Sequence, residues 1–207
     1  MTSEASPGTR TPAATADRLE RLAELYALLS RVFAFPDDDV VEALDDGRYE
    51  AALRDRAEAL GVEVESPPRA GSPGELREEY LRSFEAYEGA FAPPVESVYE
   101  PWWDGTEREL LSGPTAVDMR RRYEAIDADL PSGYPPDHVA LLLEYGSLLL
   151  EAGEREAYER FHEAHFDWIP SFRRRVERTS ESAFYRWAVA SLDRVTGAAD
   201  GAVCGRE

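Results

Sequence analysis

Asp137 and His138 stand side by side in Tyr134-Pro135-Pro136-Asp137-His138, a proline-stiffened segment at the head of a leucine-rich run. An adjacent acid and imidazole can pass a proton, pair with a cation or hold a peptide in register. The same residues also read as a helix start, since proline suits the first helical position and aspartate meets the positive end of the helix dipole there. A second stretch, Phe91-Ala92-Pro93-Pro94-Val95-Glu96-Ser97-Val98-Tyr99-Glu100-Pro101-Trp102-Trp103, carries four aromatic side chains among prolines, with Glu96 and Glu100 between them. Aromatic anchors with a few acids commonly grip peptides, and burial of the rings as a core plug is the alternative reading.

Other chemistries find little material. His162 and His165 are spaced i, i+3 near Glu159 and Glu163, but His165 shares its stripe with Phe161 and Trp168, so it reads as a core histidine and no metal is expected. Cys204 is the only cysteine, which leaves no disulfide framework and no cysteine zinc site within one chain. No phosphate-binding glycine loop, nucleophile elbow or zinc-helix motif occurs, so neither catalytic residues nor a cofactor are expected. An unrecognised enzyme using Asp137 and His138 is kept as an alternative.

The elements that must position these groups read as helices throughout. Leu19, Leu22, Tyr26, Leu29 and Phe33 recur at three- and four-residue steps, and Pro36 stops the run. Shorter helices are expected near 37–45 and 48–60, a linker over 62–74, and a further stripe at Leu76, Tyr80, Phe84 and Tyr87. Val117, Tyr123 and Ile126 mark a helix near 114–129. Residues 136–151 are apolar nearly all round, as in a central buried helix, with Asp137, Glu144, Ser147 and Glu151 expected to share its one polar face. Gly153 ends it; a helix with Tyr158, Phe161, His165 and Trp168 on one side follows, Pro170 forces a kink or a restart, and Phe184, Trp187, Leu192 and Val195 stripe the last helix. No segment alternates strictly enough to be a strand, so the class is all-α in one domain, residues 16–197, between disordered tails at 1–15 and 198–207.

Composition narrows the partners. Asp and Glu number 42 against 23 basic residues, all of them Arg, for a formal charge of -19. Nucleic-acid and anionic-membrane binding need a basic face, so neither is expected. Abundant acid without lysine fits a protein adapted to molar salt, where surface repulsion is screened, and an extreme halophile is expected. The first fifteen residues hold no apolar run and no stretch approaches the length of a membrane span, so a cytoplasmic protein without stable membrane insertion is expected.

Three blocks resemble the TorD/DmsD family of chaperones, which mature dimethyl sulfoxide and trimethylamine N-oxide reductases and are related to nitrate reductase chaperones. They are Tyr80-Leu81-Arg82-Ser83-Phe84 running into Pro93-Pro94-Val95-Glu96-Ser97-Val98-Tyr99; Pro136-Asp137-His138 with its leucine-rich helix; and His165-Phe166-Asp167-Trp168-Ile169-Pro170-Ser171-Phe172 followed by Phe184-Tyr185. The resemblance, over about residues 18–196, implies one all-helical bundle of roughly nine to eleven helices. It implies no turnover but a protein that binds the twin-arginine leader and the apo form of a molybdopterin oxidoreductase until the cofactor is in place, as a monomer or a domain-swapped dimer. A maturation factor that also binds a guanine nucleotide is the alternative it leaves. The leader-binding residues it implies are Phe84, Tyr87, Glu96, Ser97, Tyr99, Trp102, Asp137 and His138, to which the acidic face of the leucine-rich helix adds Glu144. Family members often carry Trp where this chain has Val95 or Tyr99, and Trp102 and Trp103 are placed to supply that surface.

Overall fold

The computed structural model describes residues 12–85, 89–99 and 113–203. Helix α1 (Pro12–Phe33) is long because leucines and aromatics at helical spacing give it one continuous buried stripe through Leu22, Leu25, Tyr26, Leu29 and Phe33. Pro36 lies just beyond its end. Helix α2 (Asp38–Asp45) starts where the Asp37 carboxylate accepts Val40 N–H at 2.7 Å. Helix α3 (Arg48–Leu60) stops at Gly61, whose φ of 74° is the left-handed cap that glycine adopts freely. An irregular segment leads to α4 (Pro73–Phe84), opened by a reciprocal Ser72/Glu75 capping box with Pro73 in the first turn.

After the irregular residues 89–95 and a 3-10 turn, Glu96–Val98, come α5 (Pro114–Ala125), α6 (Val139–Glu151), α7 (Arg155–His165), α8 (Ile169–Thr179) and α9 (Ala183–Val203). No strand occurs among the described residues, only an isolated antiparallel bridge between Val95 and His138. The all-α expectation is therefore met. Helix α6 is the centre, with nine of its thirteen residues buried, and its main partner is α1. The approach is close because residue 146 is glycine: a Cβ there would meet the Tyr26 ring at 2.9 and 3.0 Å. Pro170 kinks nothing, since it lies in the first turn of α8 and the chain restarts there.

Four expectations are corrected. The leucine-rich helix starts at Val139, because Pro135 and Pro136 form a turn closed by His138 N–H to Pro135 O at 3.0 Å. Asp137 thus precedes the helix and drops out of the polar face; Ser147 is buried, donating to Ala23 O at 2.9 Å and lying 3.4 Å from Glu151 Oε1, while Glu144 and Glu151 are exposed. On α5 the buried side is Ala116, Met119 and Tyr123, with Val117 and Ile126 turned outward. Helices α1 and α9 also reach further toward the ends than expected, to Pro12 and Val203.

The surface carries Arg–acid pairs such as Arg82–Glu78 and Arg173–Glu177, but acids outnumber arginines by nearly two to one. Exposed pairs contribute little and the surplus repels itself. The melting temperature followed by circular dichroism is expected to rise between about 0.1 M and about 2 M KCl, and a flat profile would remove the halophile reading.

Candidate functional site

Two backbone hydrogen bonds build the site, Glu96 N–H to Asp137 O at 3.1 Å and Val139 N–H to Pro94 O at 2.8 Å. They lay residues 93–99 along the turn before α6 and bring Glu96, Ser97, Asp137 and His138 together. Asp137, with no exposed surface, does not face the helix dipole. Its Oδ2 accepts Ser97 N–H at 2.8 Å and the Thr115 hydroxyl at 3.0 Å, tying the 3-10 turn to α5.

The cap of α6 is His138, whose Nδ1 accepts Ala140 N–H at 3.2 Å. That bond leaves Nε2 as the protonated nitrogen, 3.5 Å from the Tyr80 hydroxyl, which itself donates to Phe33 O. Burial pushes the imidazole down to about 3, so it is neutral and structural in this arrangement.

Glu96 is also fully buried, and His165 is its partner: Nδ1 lies 2.8 Å from Glu96 Oε2, while Nε2 lies 2.9 Å from Asp118 Oδ2. Arg122 continues the row, its Nε 2.6 Å from the same Asp118 oxygen and its guanidinium over the Phe161 ring. Burial pushes the Glu96 carboxyl up to about 7 against the pull of His165. Burial works to lower His165, yet Glu96 and Asp118 together hold it above its ordinary value. Asp118 is drawn up by partial burial but held below the usual range by Arg122 and His165.

Tyr99 closes the site on the aromatic side. Its ring stacks on Trp168 at 5.0 Å, its hydroxyl donates to Pro93 O at 2.9 Å, and the Arg175 guanidinium lies 5.9 Å from the ring centre. Phe84 is one ring further in, touching Phe172, which also touches Tyr99. The structure thus gathers Glu96, Ser97, Tyr99, Asp137 and His138, with Phe84 behind them. Glu144 stands apart on exposed α6 surface, accepting from the Tyr123 hydroxyl at 3.2 Å. Tyr87 and Trp102 lie outside the described residues. His165 was legible as a core histidine but its two carboxylates were not, and nothing in the sequence marked Thr115 or Asp118.

The family model described as nitrate reductase delta subunit matches residues 42–174, more than half of the chain. The chain belongs to the nitrate reductase delta subunit family. The matched span holds α3 to α7 and most of α8, and with them Glu96, Asp118, Asp137, His138 and His165, so the whole site is family territory. A crystal structure from Archaeoglobus fulgidus, described as a redox enzyme maturation protein, shares the fold of this family member at a TM-score of 0.52 and 21% identity, over 91% of this chain and 96% of that one. The chain is also 34% identical over 112 residues to a tRNA (guanine-N(1)-)-methyltransferase of Leptothrix cholodnii. That alignment takes in 51% of this chain and spans only 43% of the methyltransferase.

The buried titratable groups give a pH profile with a worked sign. Glu96, raised from 4.5 to about 7, contributes stability that is full below 4.5 and lost as pH rises to about 7. His165, also raised, loses its contribution above 6.5. His138, lowered from 6.5 to about 3, acts oppositely: stability is lost as pH falls from 6.5 to about 3. Glu96 and His138 offset each other between about 4.5 and 6.5, and stability falls on both sides. Denaturant unfolding across this range should show that plateau, with the acid fall reduced in His138→Asn and the alkaline fall reduced in Glu96→Gln. Unchanged arms in both variants would refute the assignment.

Proposed function

We propose that the chain is a cytoplasmic chaperone without turnover that binds the twin-arginine leader and the apo form of a molybdopterin oxidoreductase, assisting cofactor insertion before export. Family membership supports a partner among redox enzymes, and the fold shared with a protein described as a redox enzyme maturation protein agrees. The observation that carries the leader reading is a set of buried acceptors: Glu96 Oε1, Ser97 Oγ and Asp137 Oδ1 have no hydrogen-bond partner, beside the stacked Tyr99 and Trp168 rings. Each unsatisfied buried polar atom is destabilising by about 1–3 kcal/mol, and a guanidinium brings five N–H donors in a planar fork. A leader offers such groups next to an apolar stretch, matching acids beside aromatic rings. These atoms are shut off from solvent, so an incoming arginine meets them only when residues 93–99 shift.

A tRNA-modifying role has little to rest on, since a chain with a charge of -19 and no lysine repels phosphate. The client is of dimethyl sulfoxide or trimethylamine N-oxide reductase type by the motif resemblance, and leader binding is read from a titration. Synthetic leader is titrated calorimetrically into the intact chain in molar salt, beside a peptide whose arginine pair is replaced by glutamine. The pair should be worth about tenfold or more in affinity. Glu96→Gln should narrow that difference. Equal binding of both peptides, or of neither, removes the leader from the function while leaving the family in place.

A further inference from the structure

Residues 96–99 and 113–118 enter the site from the two sides of residues 100–112, and two side chains join these stems. Asp137 Oδ2 takes Ser97 N–H from the first and the Thr115 hydroxyl from the second. His165 spans Glu96 of the first and Asp118 of the second. The stems close this far because residue 113 is glycine, where a Cβ would stand 3.0 Å from Ser97 Cβ.

The two joins differ in their hydrogens. Asp137 takes its hydrogens from an amide and a hydroxyl, which do not titrate in the physiological range. Each His165 contact lies between a ring nitrogen and a carboxylate oxygen, and each needs one hydrogen. A neutral imidazole brings one, and two ionised carboxylates bring none. The trio therefore holds one further proton, either on the ring as an imidazolium or on Glu96 as an acid donating to the bare nitrogen. Without that proton a lone pair faces a carboxylate oxygen at under 3 Å, with His165 2% and Glu96 0% exposed, so water cannot relieve the repulsion.

We propose that His165 is a proton-dependent latch between the two stems, closed when the trio holds the extra proton and released when it is lost. The departing proton leaves through Asp118, whose side chain is 45% exposed. The charged groups facing the latch are Glu96 from the 3-10 turn, Asp118 and Arg122 from α5, and Asp167 from the turn before α8, with Asp137 acting through Glu96. The carboxylates favour the proton and Arg122 opposes it. The raised values of Glu96 and His165 agree with a trio that titrates near neutrality. This device stands on the geometry of the chain alone and does not require the leader reading.

Amide hydrogen exchange on the full chain tests it. Protection of the Glu96, Ser97 and Tyr99 amides, corrected for intrinsic rates, should fall by about tenfold or more between about pH 6 and about pH 8.5, while Leu142 and Leu143 in α6 hold theirs. Asp118→Asn is the deciding variant. An amide at residue 118 can donate to Nε2 while Nδ1–H serves Glu96, so a neutral ring then satisfies both contacts. In that variant the stems should stay protected at high pH. A parent without the fall, or an Asp118→Asn chain that shows it undiminished, would overturn the latch.

Discussion

His165→Ala is expected to lower folding stability by about 3–5 kcal/mol, the range for breaking a buried charge pair by removing one partner. Glu96 has no exposed surface, and its remaining oxygen already lacks a hydrogen-bond partner. Without the imidazole it must either stay ionised in an apolar setting or take a proton. The loss should shrink between pH 6 and pH 8, since His165 stabilises the fold only while the trio keeps its proton. Trp168 is not a casualty, because its Nε1–H donates to the backbone carbonyl of residue 165 at 2.8 Å, which alanine keeps. Denaturant unfolding at two pH values measures the effect. Pairing His165→Leu with Glu96→Met should recover much of the loss by removing both charges. A loss below about 1 kcal/mol at both pH values would mean that the pair does not hold the stems.

Gly146→Ala reverses the usual sign of its substitution. In an open helix interior the change stabilises by about 1 kcal/mol, because alanine loses less backbone freedom on folding. Here the new methyl would sit 2.9 Å from the ring of Tyr26. That ring cannot swing away: Tyr26 is fully buried, its hydroxyl is 2.8 Å from that of Tyr158, and Phe166 packs against it at 5.5 Å. Helices α1 and α6 must separate instead, and overpacking of this kind costs about 1–3 kcal/mol. Gly197 in α9 is the control, with nothing within 4 Å of an added Cβ, so Gly197→Ala should stabilise. Opposite signs for two chemically identical changes are the expected outcome, and a stabilised Gly146→Ala would mean that the helix interface is looser than described.

Much of the helical order was legible because its boundaries are chemical. Pro36, Gly153 and Pro170 each act on the backbone at their own position, so the ends of α1 and α6 and the start of α8 follow from local residues, whereas α4 begins at Pro73, inside the expected linker. The start of α6 was not, since Pro136 and Asp137 have the right types for a helix start while the cap falls on His138. That shift of three residues also undid the reading of Asp137 and Glu144 as one face. The site was legible as a neighbourhood and not as a network. Glu96 and His165 are 69 positions apart, and no periodicity records which distant carboxylate an imidazole will meet. Tyr99 and Phe84 stood out by type, yet whether their rings face solvent or core depends on Trp168 and Phe172, which later helices supply.

One imidazole serving two carboxylates from separate segments makes positions 96, 118 and 165 a single unit of inheritance. A lineage that replaces the histidine first passes through a chain with a buried orphan charge, and one that replaces Glu96 first strands a ring nitrogen. Substitution at these positions should therefore be correlated across descendants of this sequence, with the acid at 96 and the histidine at 165 kept or lost together, while position 118 drifts only among residues able to present an oxygen or an amide to the ring.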